Sequence, residues 1–277
     1  MLYMDAVARL AEVERELAEQ GRILAAEHAL AAKLQRIILP IPDAPLELPG
    51  LKVALRYLPA GQESLVGGDW YLAAEQRDGS VLLAVGDVAG HGTQAATTMA
   101  ELRHSLRALA ITTTDPAVLL AHLNLLTCDL ALDSPELSAT AVIARYEPET
   151  RRLTWAQAGH PAPLINRAGR TVPLPRPPGP MLGVLDGAFY HCTTLDLLPG
   201  DVLLLYTDGL IEHRGRGLDE GLATVIAAID KSVAANPERP LNEILGRLRR
   251  ANPDDDTCIL AARATTGNTK DLSRYRR

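Results

Sequence analysis

Val81-Leu82-Leu83-Ala84-Val85-Gly86-Asp87-Val88-Ala89-Gly90-His91-Gly92 drives an apolar run into a glycine, an aspartate and a glycine-rich turn. Five consecutive apolar residues closed by glycine predict a buried strand. The carboxylate at a strand end recurs. Asp69 sits in Val66-Gly67-Gly68-Asp69-Trp70-Tyr71, Asp208 follows the run 202–206 and precedes Gly209, and Asp255 and Asp256 open the run 257–262. A rigid sheet can bring such ends together, and glycine beside most of them admits close approach of backbone or ligand. One Asp-Gly is ordinarily a turn. Four such sites, each bracketed by a strand, form a pattern.

Carboxylates gathered in one place repel. Such a cluster is tolerable when it is protonated, paired with cations or bound to metal. All-oxygen ligation suits hard ions such as Mg²⁺ or Mn²⁺, and no His/Cys spacing points to zinc. There is no convincing Ser/His/Asp or Cys/His-Arg set, so the chemistry has no obvious protein nucleophile.

Around this pattern the chain alternates strands in groups with paired helices. Strands are expected at 52–58, 81–86, 138–146, 153–158 and 201–206, and helices at 93–110, 116–132, 218–233 and 241–250. That order does not read as βαβαβ; it predicts an α+β sandwich. Residues 172–180, with five prolines, read as a surface loop. Three domains are expected: a long helix over 1–39, a globular domain over 40–264 and a flexible tail over 265–277. In the helix, Leu10, Leu17, Leu24, Ala31 and Ile38 recur every seven residues, joined by Val13 and Leu34 and interrupted by Gln20, Gly21 and Glu27. This heptad seam predicts coiled-coil pairing, a signalling contact or packing along the domain. Pro40, Pro42, Pro45 and Pro49 then form a short stiff linker.

The net charge of −6 makes nonspecific binding to nucleic acid or an anionic membrane a poor expectation. No apolar run reaches the roughly 18 residues a membrane span needs. The acidic N-terminus does not resemble a signal peptide. Cys128, Cys192 and Cys258 lie far apart and are odd in number, which predicts free thiols in a reducing compartment. A cytoplasmic location is expected.

Six stretches occur in an order that resembles one family: Val66–Tyr71, Gly86–Gly92, Ala158-Gly159-His160-Pro161, Pro199-Gly200-Asp201, Tyr206-Thr207-Asp208-Gly209-Leu210 and Asp255-Asp256. They are similar to the SpoIIE/RsbU branch of the PPM-type (protein phosphatase 2C-like) serine/threonine phosphatases, over roughly residues 34–263. The resemblance implies an αββα sandwich of two antiparallel sheets flanked by helices. It implies two Mn²⁺ or Mg²⁺ ions at one end of the sheets. Asp69 and Asp87 would be ligands, Asp87 bridging both ions, with the Val88 carbonyl, Asp208 and Asp255 completing the set and Asp256 a less certain neighbour. A water bridging two such ions becomes hydroxide near neutral pH and can attack phosphorus in line.

His91 could protonate the leaving oxygen or lock the 90–92 turn; His160, between Gly159 and Pro161, reads as a structural turn residue. Two departures stand out. Leu72 replaces an acidic residue frequent in this branch, and the phosphate-holding arginine of eukaryotic-type relatives has no counterpart. The implied substrate is a phosphoserine or phosphothreonine on a regulatory protein of the anti-anti-sigma (STAS) type. From the heptad seam, a homodimer is expected, with the N-terminal helix as the place where an upstream activator acts. A catalytically weak dimeric scaffold with the same fold is the alternative.

Overall fold

The computed structural model describes residues 9, 12–23, 26, 37–59, 67–90, 92–132, 134–212, 215, 217–249, 252 and 255–266. The chain divides into two units, Met1–Pro40 and Ile41–Arg277. In the first, residues 12–23 are helical and exposed, including Val13 and Leu17 of the heptad seam. Leu10, Leu24, Glu27, Ala31 and Leu34 of that seam lie outside the described residues, as do His91 and residues 267–277 of the tail.

The second unit is built from two antiparallel sheets. One runs in the order β1 (Leu46–Leu48), β2 (Leu51–Leu58), β11 (Thr257–Ala264), β10 (Val202–Tyr206), β7 (Leu164–Arg167), β8 (Arg170–Pro173). The other runs β3 (Trp70–Glu75), β4 (Val81–Val88), β5 (Ala139–Glu147), β6 (Arg152–Ala158), β9 (Thr193–Asp196). Helices α1 (Thr93–Leu109) and α2 (Pro116–Ala131) cover the five-stranded sheet; α3 (Leu218–Ala235) and α4 (Pro240–Arg247) cover the six-stranded one. The sheets meet through β10 and β11 against β3 and β4. This is the expected αββα sandwich.

The layering explains the apolar runs. Strands β4 and β10 are faced by the other sheet on one side and by helices on the other, so both faces must be apolar and alternation disappears. Leu82, Leu83, Leu203 and Leu205 are all buried, each burial worth about 1.5–3 kcal/mol. On the outer face, Leu204, Tyr206 and Ile259 pack with Val225, Ile229 and Ile244 of α3 and α4. Helix α2 starts where its sequence says it should. Asp115 accepts from the N–H groups of Ala117 and Val118, and Pro116 fills the first turn, where no N–H is needed.

Several boundaries differ from expectation. Strand β4 continues through Asp87 and Val88, so Asp87 lies on the strand, paired with Thr140 of β5. Asp69 lies one residue ahead of β3 instead of ending a strand. Strands β1, β7, β8 and β9 are short, and their 3- or 4-residue runs carry too little periodicity to be read. The proline-rich linker is partly structured: Leu46–Leu48 pairs with β2.

Candidate functional site

The close approaches that assemble the site are made at glycines. A Cβ at Gly68 would lie 2.2 Å from the Val88 carbonyl oxygen, and one at Gly67 would lie 1.6 Å from Oδ2 of Asp256. Only glycine allows residues 67–69 to lie against both the end of β4 and the start of β11. The Val88 N–H donates to the Gly68 carbonyl at 3.2 Å and fixes that approach. Asp69, at the next position, is 1% exposed and lies close enough to Asp87 for their carboxyls to hydrogen-bond.

The six-stranded sheet brings the other carboxylates. After β10 the chain turns into a single 3-10 turn, Asp208–Leu210, which projects Asp208. Ahead of β11, Asp255 accepts the N–H of Asp256, and the buried Asn252 side chain donates to the Glu212 carbonyl at 2.6 Å. Asp69, Asp87, Asp208, Asp255 and Asp256 thus gather where β3, β4, β10 and β11 meet.

The electrostatics follow from burial and like charge. Asp69 is held well above the ordinary carboxylate range, first by burial, then by Asp87, Asp256 and Asp255 against a lowering hydrogen bond from Thr207. Asp87 is pushed up to about 7 by burial and by the charges of Asp208 and Asp255. Asp255 rises to about 6, chiefly by burial and then by Asp208, and burial raises Asp208. Among the described residues, Asp69, Asp87, Asp208 and Asp255 form no ion pair with Lys, Arg or His. Crowded oxygen donors of this kind suit hard divalent ions, which would relieve the repulsion. The side chains do not close on a common point. Among the described residues no three His, Cys, Asp or Glu side chains are arranged as a ready ligand group.

Val88, the expected carbonyl donor, is the last residue of β4. His160 is 1% exposed, its Nδ1 lies 2.8 Å from the Thr140 hydroxyl, and burial pushes its pKa down to about 3. It is a neutral residue that braces the partner of Asp87 across the sheet. Leu72 is buried in β3. Thr207 stands in the stretch Tyr206-Thr207-Asp208-Gly209-Leu210, yet nothing in the sequence gives it a role. Its hydroxyl donates to Asp69 Oδ2 at 2.7 Å.

The model of the family Stage II sporulation protein E (SpoIIE) matches residues 77–265. The chain belongs to the SpoIIE family. The SpoIIE match contains Asp87, Asp208, Asp255 and Asp256; Asp69 lies ahead of it and joins the group through the fold. The chain is 28% identical over 189 residues to a protein named phosphoserine phosphatase RsbU from Bacillus subtilis, covering 68% of this chain and 54% of that protein. It therefore spans about half the length of that relative. Among solved structures, the RsbU and RsbW domains of a Mycobacterium tuberculosis protein match with a TM-score of 0.69 at 29% identity, over 81% of this chain and 62% of that one. RsbX in complex with magnesium matches with a TM-score of 0.60 at 18% identity, over 80% of this chain and 98% of that one, a likeness of fold. This SpoIIE chain thus has the fold of the PP2C-like phosphatases.

Proposed function

We propose that the protein is a metal-dependent phosphoprotein phosphatase acting on phosphoserine or phosphothreonine of a regulatory protein in a partner-switching pathway. The observation that carries this reading is the gathering of Asp69, Asp87, Asp208, Asp255 and Asp256 at the junction of the sheets, where Asp69, Asp87, Asp208 and Asp255 form no ion pair among the described residues. The name of the Bacillus subtilis relative and the magnesium bound by RsbX support it.

Asp69, Asp87, the Val88 carbonyl, Asp208 and Asp255 would hold two Mn²⁺ or Mg²⁺ ions, with Asp256 beside them. When bound, such a pair supplies an ionised water at neutral pH and positive charge for the phosphoryl oxygens. The chain's own part is to hold these carboxylates in place on two rigid sheets; burial raises their pKa, and a bound cation would favour their ionised form against it. No side chain has to become covalently attached. Phosphate release from a phosphorylated STAS-type protein should require Mn²⁺ or Mg²⁺ and stop in EDTA. Turnover undiminished in chelator would sink the proposal.

The N-terminal helix is proposed to mediate dimerisation and to receive an activating partner. Its exposed Val13 and Leu17 support this. An interrupted seam is marginal, which suits an element biased by a partner. Leu17→Asp should shift the protein toward monomer in sedimentation and change turnover. An unchanged oligomer with unchanged kinetics would make the helix a passive element.

A further inference from the structure

Thr207 lies where strand β10 stops, extended at φ −83° and ψ 160° and 0% exposed. Its backbone faces two ways. The N–H continues the ladder with β11, donating to the Cys258 carbonyl at 3.1 Å. The carbonyl has turned into the 3-10 turn and accepts from Leu210 at 3.1 Å. It therefore does not complete the ladder, and the Cys258 N–H bonds the Thr207 side chain instead, at 2.8 Å to Oγ1.

That bond determines the other one. A hydroxyl has one hydrogen and two lone pairs. The Cys258 N–H can only donate, so it takes a lone pair of Oγ1. The single hydroxyl hydrogen is left for Asp69 Oδ2, 2.7 Å away. The β-branched side chain has few rotamers, and here it is completely buried. One oxygen of Asp69 is thereby held by the protein, and Oδ1 is the oxygen left without a bond to Thr207. The same residue starts the turn that projects Asp208.

From this geometry we infer that Thr207 is a positioning residue that ties Asp69 of one sheet to the Asp208 turn and β11 of the other, orienting Asp69 for a divalent cation. This rests on the assignment of Asp69 as a metal ligand. Partners that orient a ligating carboxylate typically account for a 10–100-fold change in metal affinity. The inference accounts for Thr at this position: Ser would supply the hydroxyl with a looser rotamer, and Val the shape without the hydroxyl.

The test is direct Mn²⁺ binding by calorimetry on the full chain, with wild type, Asp87→Ala, Thr207→Ser and Thr207→Val. Thr207→Val should weaken Mn²⁺ binding about 10–100-fold, and Thr207→Ser should stay within about threefold of wild type by keeping the donor. With saturating Mn²⁺, kcat of Thr207→Val should recover most of its loss, because the ligands are intact. A Thr207→Val protein that binds Mn²⁺ like wild type, while Asp87→Ala does not bind, overturns the inference and leaves the proposed function standing. Wild type and Asp87→Ala binding Mn²⁺ alike would overturn the metal assignment itself. Should Thr207→Val not fold, Thr207→Cys takes its place, since a thiol is a weak donor; equal affinity of the Cys and Ser variants also overturns the inference.

Discussion

The two ends of strand β10 each carry a buried aspartate environment, and the protein treats them in opposite ways. At the start, Asp201 is 3% exposed and fully provided for. Arg167 donates to it through Nε at 3.1 Å and Nη2 at 2.6 Å, and the Leu198 N–H adds a bond at 2.8 Å. At the far end, Thr207 and Asp208 lead into a group of five carboxylates in which Asp69, equally buried, meets one hydroxyl and another carboxyl. A buried charge that serves the fold is matched within the chain. One left facing its own kind marks a place where something from outside is meant to bind.

The largest test of this contrast is Asp87→Ala. Losing about 4 kcal/mol of transition-state stabilisation lowers phosphate release on the order of a thousandfold, and circular dichroism should show an intact fold. Near-wild-type release at limiting Mn²⁺ would remove Asp87 from the site.

Next comes pH. Asp87 and Asp255 titrate near 7 and 6 in the folded chain and near the ordinary 3.8 when unfolded. The folded state therefore binds more protons between about pH 4 and 7. Their stabilising contribution is complete below the unfolded value and is lost as pH rises from about 4 through 6 to 7. In EDTA, Asp87→Asn should thus gain stability relative to wild type as pH rises from 4 to 8, and Mn²⁺ should abolish that gain. Melting curves at several pH values that keep a constant difference would contradict the repulsion.

Asp201→Asn probes the opposite end. Arg167 stays 39% exposed and partly solvated, so breaking the pair should cost about 1–3 kcal/mol in urea denaturation. Phosphate release per folded molecule should not change; a loss comparable to that of Asp87→Ala would erase the distinction between the two ends.

The smallest effect belongs to Asp115, an exposed aspartate that caps α2 and accepts a weak bond from the Cys192 thiol at 3.7 Å. Asp115→Ala should lower stability by about 1 kcal/mol with kcat unaltered. A drop in kcat would mean that α2 communicates with the site.

Much of this was legible in the chain. Buried strands read as unbroken apolar runs because both their faces are covered, as at 81–85 and 202–206. The helices declared themselves by period and by caps such as Asp115-Pro116. The aspartates stood out because carboxylates recur at four places bracketed by strands, most beside glycine, whereas a single Asp-Gly would read as a turn. What sequence alone could not carry were contacts between distant segments. Strands β7, β8 and β9 are too short for their periodicity to show, and they exist because neighbouring strands supply hydrogen-bond partners. Gly67 and Gly68 could be read as a loop, but their need to be glycine comes from Asp256 and Val88, which no local pattern connects to them. Thr207 is the clearest case. As a residue in a Tyr-Thr-Asp-Gly motif it could be a β-former or a turn residue. Its part is decided by a hydroxyl with a single hydrogen, set between an amide of β11 and a carboxylate 138 positions away, and only the packing of two sheets brings those groups within hydrogen-bond reach.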